Sequence, residues 1–174
     1  MQSGHSSVFL VGPMGAGKTT LGRILAELLH KQFIDSDQVI VDRAGADIPW
    51  IFDLEGEAGF RQRESQVIAE LTQQPNIVLA TGGGAVLLAE NRACLSARGQ
   101  VVYLRTQVST QVRRTKRDRN RPLLQTLKPA ATMKALMLER EPYYLEVADV
   151  VVDTDQVNPK LLAKELAETL QSIP

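Results

Sequence analysis

The sequence predicts an α/β sandwich of three layers built on a five-stranded parallel sheet. Three observations carry that prediction. Five short apolar runs, at 8–11, 32–35, 77–80, 101–104 and 150–152, are each followed by residues with helical apolar spacing. The third run, Ile77-Val78-Leu79-Ala80, is apolar on both faces, as expected in the middle of a parallel sheet. Between the first run and the first helix, Gly12-Pro13-Met14-Gly15-Ala16-Gly17-Lys18-Thr19 fits G-x-x-x-x-G-K-[ST] at every fixed position.

The first unit is the most informative. Gly12, Gly15 and Gly17 let backbone N–H groups turn inward and approach an anion closely. The helix that starts near Lys18 and runs through Leu29 aims its positive end at the same point. The Lys18 ammonium can reach β- and γ-phosphates, and the Thr19 hydroxyl can ligate Mg²⁺. An ordinary glycine-rich turn does not require Lys-Thr at this spacing.

Gln32–Asp35 ends in Asp35-Ser36-Asp37, two carboxylates at the carboxyl end of a strand, where open α/β sheets bind ligands. Asp35 or Ser36 can cap the helix expected over 38–44. Capping accounts for one acid and leaves a functional role for the other. Gly45 ends that helix. Asp47-Ile48-Pro49 opens a short one, with Trp50, Ile51, Phe52 and Leu54 as apolar surface. Residues 56–59 are a break, and a longer helix runs from Phe60 to about Leu71. Arg61 lies near its start, where a cation opposes the helix dipole, so Arg61 is the cation expected to bind an anion.

The third strand runs into Thr81-Gly82-Gly83-Gly84. Three glycines exceed what a tight turn needs and point to backbone lying against a ligand. A helix is expected over about 87–98, and Cys94 within it reads as a buried structural thiol. From Ser109 the chain is helical and turns basic, with Arg113, Arg114, Lys116, Arg117, Arg119 and Arg121 before Pro122. This stretch has no aromatic residue to stack a base, so a mobile flap over phosphates explains it better than a nucleic-acid arm. Pro129 starts a helix with Met133, Leu136, Met137 and Leu138 as core, and Pro142 is expected to break or kink it beside Arg140. Asp153–Gln156 forms a loop after the last strand. Pro159 opens a final amphipathic helix whose leucines, Leu161 to Leu170, are core.

Bulk properties narrow the function classes. At 174 residues one domain, 1–174, is expected, with a sizeable core. Twenty basic and twenty acidic side chains cancel, so the chain as a whole is no polyanion binder. A single cysteine makes no intramolecular disulfide and points to a reducing, cytoplasmic compartment. No apolar run reaches the length of a membrane span, and the first seven residues lack a signal-peptide pattern. Loops 12–18, 35–37, 82–84 and 153–156 all follow strands and open on one sheet edge. A small-molecule kinase fits best: the basic flap excludes water, and Arg61 and Arg140 await an anionic acceptor.

Taken together, Gly12–Thr19, Asp35-Ser36-Asp37, Phe60-Arg61-Gln62-Arg63-Glu64, Thr81–Gly84, Arg121-Pro122-Leu123-Leu124 and Glu139–Tyr144 resemble bacterial shikimate kinase over almost the whole chain. The resemblance implies a nucleoside-monophosphate-kinase-like P-loop fold with a lid over about 113–126 and an acceptor region over about 35–64. It implies transfer of the γ-phosphoryl of ATP to the 3-hydroxyl of shikimate, in chorismate biosynthesis, by a monomer. Carried over, Gly15, Ala16, Gly17, Lys18, Thr19 and Thr20 hold the ATP phosphates, with Arg114 and Gln156 near the nucleotide. Thr19 ligates Mg²⁺, and Asp35 supports its water shell. Asp37 meets the shikimate hydroxyls as the catalytic carboxylate. Arg61 and Arg140 pair the carboxylate, Gly82, Gly83 and Gly84 line the ring, and Arg121 reaches over the transferring phosphate. The family usually has Leu where this chain has Tyr143. Two rival readings are a kinase for another acid such as gluconate and a nucleotide-dependent nucleic-acid-binding module.

Overall fold

The computed structural model describes residues 7–116, 118 and 121–174. Arg117 and Arg119 of the basic stretch lie outside the described residues. The elements run β1 (Val8–Val11), α1 (Lys18–Leu29), β2 (Gln32–Asp35), α2 (Ser36–Ala44), α3 (Ile48–Leu71), β3 (Ile77–Ala80) and α4 (Ala89–Arg98). They continue with β4 (Gln100–Arg105), α5 (Val108–Thr115), a 3₁₀ turn (Pro122–Leu124), α6 (Pro129–Val147), β5 (Val150–Asp153) and α7 (Pro159–Ser172). The five strands pair in parallel in the order β2-β3-β1-β4-β5.

Period-two alternation divides the sheet into two cores. Phe9, Val11, Leu79, Val101 and Tyr103 face α2, α3, α4 and α6, packing with Ile40, Ile68, Leu95 and Tyr144. Val8, Leu10, Val78, Val102 and Leu104 face α1 and α7, packing with Leu21, Leu25, Leu166 and Leu170. Full burial of each such side chain stabilises the fold by roughly 1.5–3 kcal/mol. Because every strand is parallel, every strand-to-helix loop emerges at the same edge, and the site forms there.

The break expected over 56–59 falls at Gly56, whose φ of 72° and ψ of 177° separate the two helical parts of 48–71; the expectation that changes is at Pro142. Glycine tolerates that left-handed φ without a Cβ penalty, and Glu55 and Arg63 pair across the bend at 2.7 Å. Pro142 does not end its helix: α6 continues through it to Val147. Its missing N–H leaves the Leu138 carbonyl without that helical partner. Leu138 is 74% exposed and Leu161 55%, so neither is core. The basic helix stops at Thr115, and α4 starts at Ala89, after the turns that follow the three glycines. Tyr143 takes the Arg92 guanidinium over its ring at 4.2 Å, which gives the aromatic a partner that leucine would lack.

Candidate active site

The phosphate loop is closed by α1 itself. Gly17 is the N-cap at φ 90°, and no side chain caps the helix, so its first N–H groups face the loop cavity uncapped. By contrast Asp35, Asp47 and Asn158 cap α2, α3 and α7 with their side chains. Lys18 Nζ folds back over the loop, donating to Gly12 O at 2.6 Å and Pro13 O at 2.9 Å. Withdrawal from water, with Arg121 nearby, lowers its pKa to about 7, against the pull of Asp37 and Asp35. Ala16 lies in the core beneath the loop, and its N–H closes the turn onto Pro13 O at 3.2 Å.

Thr19 Oγ1 donates to Asp35 Oδ2 at 3.1 Å. Asp35 Oδ1 accepts from the Asp37 and Gln38 amides at 2.9 and 3.4 Å, so one carboxylate both caps α2 and faces the loop. Asp37 follows in the first turn of α2. Its Oδ2 lies 3.5 Å from Arg121 Nη1, while Oδ1 is buried without a hydrogen-bond partner among the described residues. Burial raises its pKa in spite of Arg121.

Two cavities meet at Asp37, Gly82, Gly83 and Arg121. One, of about 670 Å³, extends along Gly15, Gly17, Lys18, Thr19, Thr20 and Arg114. Arg114 spans its rim, donating to Gly15 O at 3.0 Å and Thr154 O at 2.8 Å. Gln156 is exposed at φ 54° and lines neither of these two cavities. The second, of about 430 Å³, lies between Arg61, Arg140, Gly84 and the apolar Met14, Phe52 and Phe60.

The two arginines differ in their surroundings. Arg61 Nη1 donates to Glu64 Oε1 at 2.9 Å, and Nη2 reaches Glu57 at 3.4 Å. Glu64 is fully buried, and its other oxygen has no hydrogen-bond partner among the described residues. Burial, opposed by Arg61, raises the Glu64 pKa to about 7. Arg140 is only 3% exposed and makes no ion pair with a carboxylate among the described residues. Burying an unpaired guanidinium is costly, so this geometry calls for an anion from outside the chain. Gly84 exists for Arg61: a Cβ there would overlap the guanidinium.

Asp37, Arg61, Arg121, Arg140 and the three glycines thus share one cleft beside Lys18. Glu64 and Tyr144 lie inside the motifs 60–64 and 139–144 but have no site role assigned by them. The Glu64 signal was its i,i+3 spacing from Arg61 on one helix. Tyr144 had a signal of the same kind, four residues beyond Arg140, hidden by the expected end of the helix at Pro142. Its hydroxyl donates to Gly83 O at 2.5 Å.

The arrangement can hold a polyphosphate on one side of Asp37 and a small anionic molecule on the other. Comparison with known proteins identifies the family. The shikimate kinase family model matches residues 14–171. The shikimate kinase of Photobacterium profundum is 58% identical over 165 residues, covering 95% of this chain and 94% of its own. That of Actinobacillus pleuropneumoniae serotype 5b is 56% identical over 167 residues, covering 96% of each. A solved shikimate kinase from Acinetobacter baumannii in complex with shikimate superposes with a TM-score of 0.94 at 51% identity, covering 97% of this chain and 94% of that one. With its phosphate loop, its unpaired buried arginine and relatives matched over nearly their full length, this chain belongs to the shikimate kinase family.

Proposed function

We propose that this chain transfers the γ-phosphoryl of ATP to the 3-hydroxyl of shikimate, giving shikimate 3-phosphate and ADP, with Asp37, Lys18 and Arg121 as its catalytic groups. The observation that carries the assignment of sides is Arg140, a buried guanidinium without a carboxylate partner among the described residues. A planar carboxylate suits it, because the guanidinium fork pairs both oxygens. ATP then takes the other cavity, with its phosphates on residues 15–20, Arg114 at the rim and Gln156 in the loop toward adenine.

In this reading the acceptor lies with its carboxylate at Arg140 and Arg61 and its ring against Gly82–Gly84. Its 3-hydroxyl points to Asp37 Oδ1, the carboxylate oxygen that has no hydrogen-bond partner among the described residues. Asp37 accepts the hydroxyl proton as the 3-oxygen bonds to the γ-phosphorus and the bond to the β-phosphate oxygen breaks. The transition state is loose, so alignment and charge neutralisation outweigh activation of the nucleophile. Lys18 and Arg121 supply that charge. Thr19 and Asp35 present hard oxygen donors that fit Mg²⁺, Thr19 directly and Asp35 through water. Bound there, Mg²⁺ would neutralise charge on the β- and γ-phosphate oxygens. We assign residues 35–64 to acceptor binding and 113–126 to a lid, since Arg121, Pro122 and Leu123 border the acceptor cavity.

Coupled ADP-release assays with shikimate and gluconate side by side test the reading. Turnover with shikimate alone is expected, and a preference for gluconate overturns it. A steeply salt-dependent shift of a nucleic-acid probe would favour the nucleic-acid module instead.

A further inference from the structure

Two residues one helical turn apart on α6 approach Gly83, and one of them bonds it. Tyr144 Oη donates to Gly83 O at 2.5 Å. A Cβ on Gly83 would lie 3.4 Å from Arg140 Nη1, so the guanidinium passes close over the same residue. Positions i and i+4 share a helix face, which puts the phenol beside the base of the arginine's reach. The phenol itself has little freedom. Tyr144 is 1% exposed, and its ring stacks on Tyr103 at 5.0 Å and 23°. Burial holds the Tyr144 hydroxyl well above the ordinary phenol range, against the nearby Arg140 charge. It therefore stays a neutral donor throughout the working pH range.

The neutrality matters because the cleft's other arginine is treated differently. Arg61 is steadied by Glu64 and Glu57, carboxylates that spend part of its charge. Beside Arg140 stands a phenol, which supplies a dipole and takes no charge away. We infer that Tyr144 is a positioning residue of the acceptor site: its hydroxyl pins the Gly83 carbonyl, and with it the glycine backbone and the Arg140 guanidinium, in the geometry that receives the acceptor's carboxylate end. This rests on the assignment of Arg140 to that carboxylate.

The test uses the full chain and separates the two claims. Tyr144→Phe keeps the ring stack and removes only the hydroxyl. Its KM for shikimate is expected to rise about fivefold or more, the effect of losing one buried hydrogen bond, with KM for ATP unchanged within about twofold. A general structural role would move both constants together and lower the melting temperature in proportion. Tyr144→Leu, which also loses the stack, serves as the destabilised reference. In a double-mutant cycle with Arg140→Lys, the two effects on shikimate KM should fall short of additive. Unchanged shikimate KM in Tyr144→Phe, a parallel rise for both substrates, or strict additivity overturns the inference alone, provided Arg140→Lys itself raises shikimate KM. If Arg140→Lys leaves that KM unchanged, the carboxylate assignment fails, and the role of Tyr144 fails with it.

Discussion

Arg121 Nη1 stands 3.5 Å from Asp37 Oδ2, so the guanidinium that borders both cavities touches the carboxylate that separates them. The contact is long for a hydrogen-bonded ion pair, and Arg121 also donates to Asp118 at 3.2 Å. Among the described residues, Asp37 thus pairs with Arg121 through one oxygen while its other oxygen has no hydrogen-bond partner. A carboxylate in that state can accept a proton from a neighbour without first breaking a strong bond.

Asp37→Asn removes the proton acceptor and keeps the shape. We expect kcat to fall about 100-fold or more, the contribution of a positioned acid or base, with KM for ATP moving less than about threefold. Steady-state ADP release measures both, and turnover near that of the unaltered chain would refute the role.

Arg140→Ala and Arg61→Ala should differ in kind. Losing the unpaired Arg140 is expected to raise shikimate KM by roughly 10–100-fold, as charged hydrogen bonds contribute about 1.5–3 kcal/mol. It should not lower the melting temperature, because a buried charge without an ion pair is removed. Losing Arg61 leaves Glu64 buried without its partner, so Arg61→Ala should also melt earlier. Equal melting temperatures for the two variants would contradict this contrast.

Lys18 predicts a proton uptake. Its pKa is lowered to about 7 without nucleotide, chiefly by burial. Phosphates favour the charged form and raise that pKa again. Above pH 7 nucleotide binding should therefore take up a proton, and affinity should weaken as pH rises from 7 toward 9. Titration calorimetry at pH 8 in buffers of different ionisation enthalpy measures the uptake, and Lys18→Met should abolish it.

Glu64 predicts a pH-dependent stability of opposite sign to that of a surface acid. Its folded pKa, about 7, lies above the ordinary 4.5. The stabilisation is therefore complete below pH 4.5 and is lost as pH rises to 7, by up to roughly 3 kcal/mol. Glu64→Gln lacks the titration. Melting curves at pH 5 and pH 8 should show the unaltered chain losing ground to the variant at the higher pH. A constant difference would mean that Glu64 is ionised throughout.

Gly84→Ala tests how closely the cleft is fitted. The added methyl would overlap the Arg61 guanidinium, which Glu64 holds in place. Shikimate KM should rise with little change in KM for ATP. Gly45→Ala is the comparison: it meets nothing within 4 Å but sits at φ 66°. It should cost only stability, about 1 kcal/mol of left-handed strain. Matching kinetics in both variants would show that the overlap is relieved elsewhere.

The phosphate loop, a cap at Asp35 or Ser36 and the five strands themselves were legible in the sequence because each depends on neighbours within a few residues, whereas the order of the strands in the sheet does not. Glycine at φ 90° before Lys18, or an aspartate accepting from the amides two and three residues on, is a local requirement with a local signature. The ends of helices were harder. Pro142 removes a single backbone bond, and burial of Tyr144 and Val147 against the sheet outweighs that loss. Leu138 and Leu161 carry the side chains of core residues, but the turn of their helices faces them outward.

By itself the sequence determined that a phosphate cradle heads a parallel α/β sheet and that arginines and acids follow several strands. Only the tertiary structure decided which of those charges keep a partner and which do not. Glu64 reaches Arg61 along one helix, whereas Arg140 meets Gly83 across 57 residues of chain and finds no carboxylate there among the described residues. That distinction depends on how α3, α6 and the glycine loop pack together. Packing distance, unlike local conformation, is not written in any short stretch of residues.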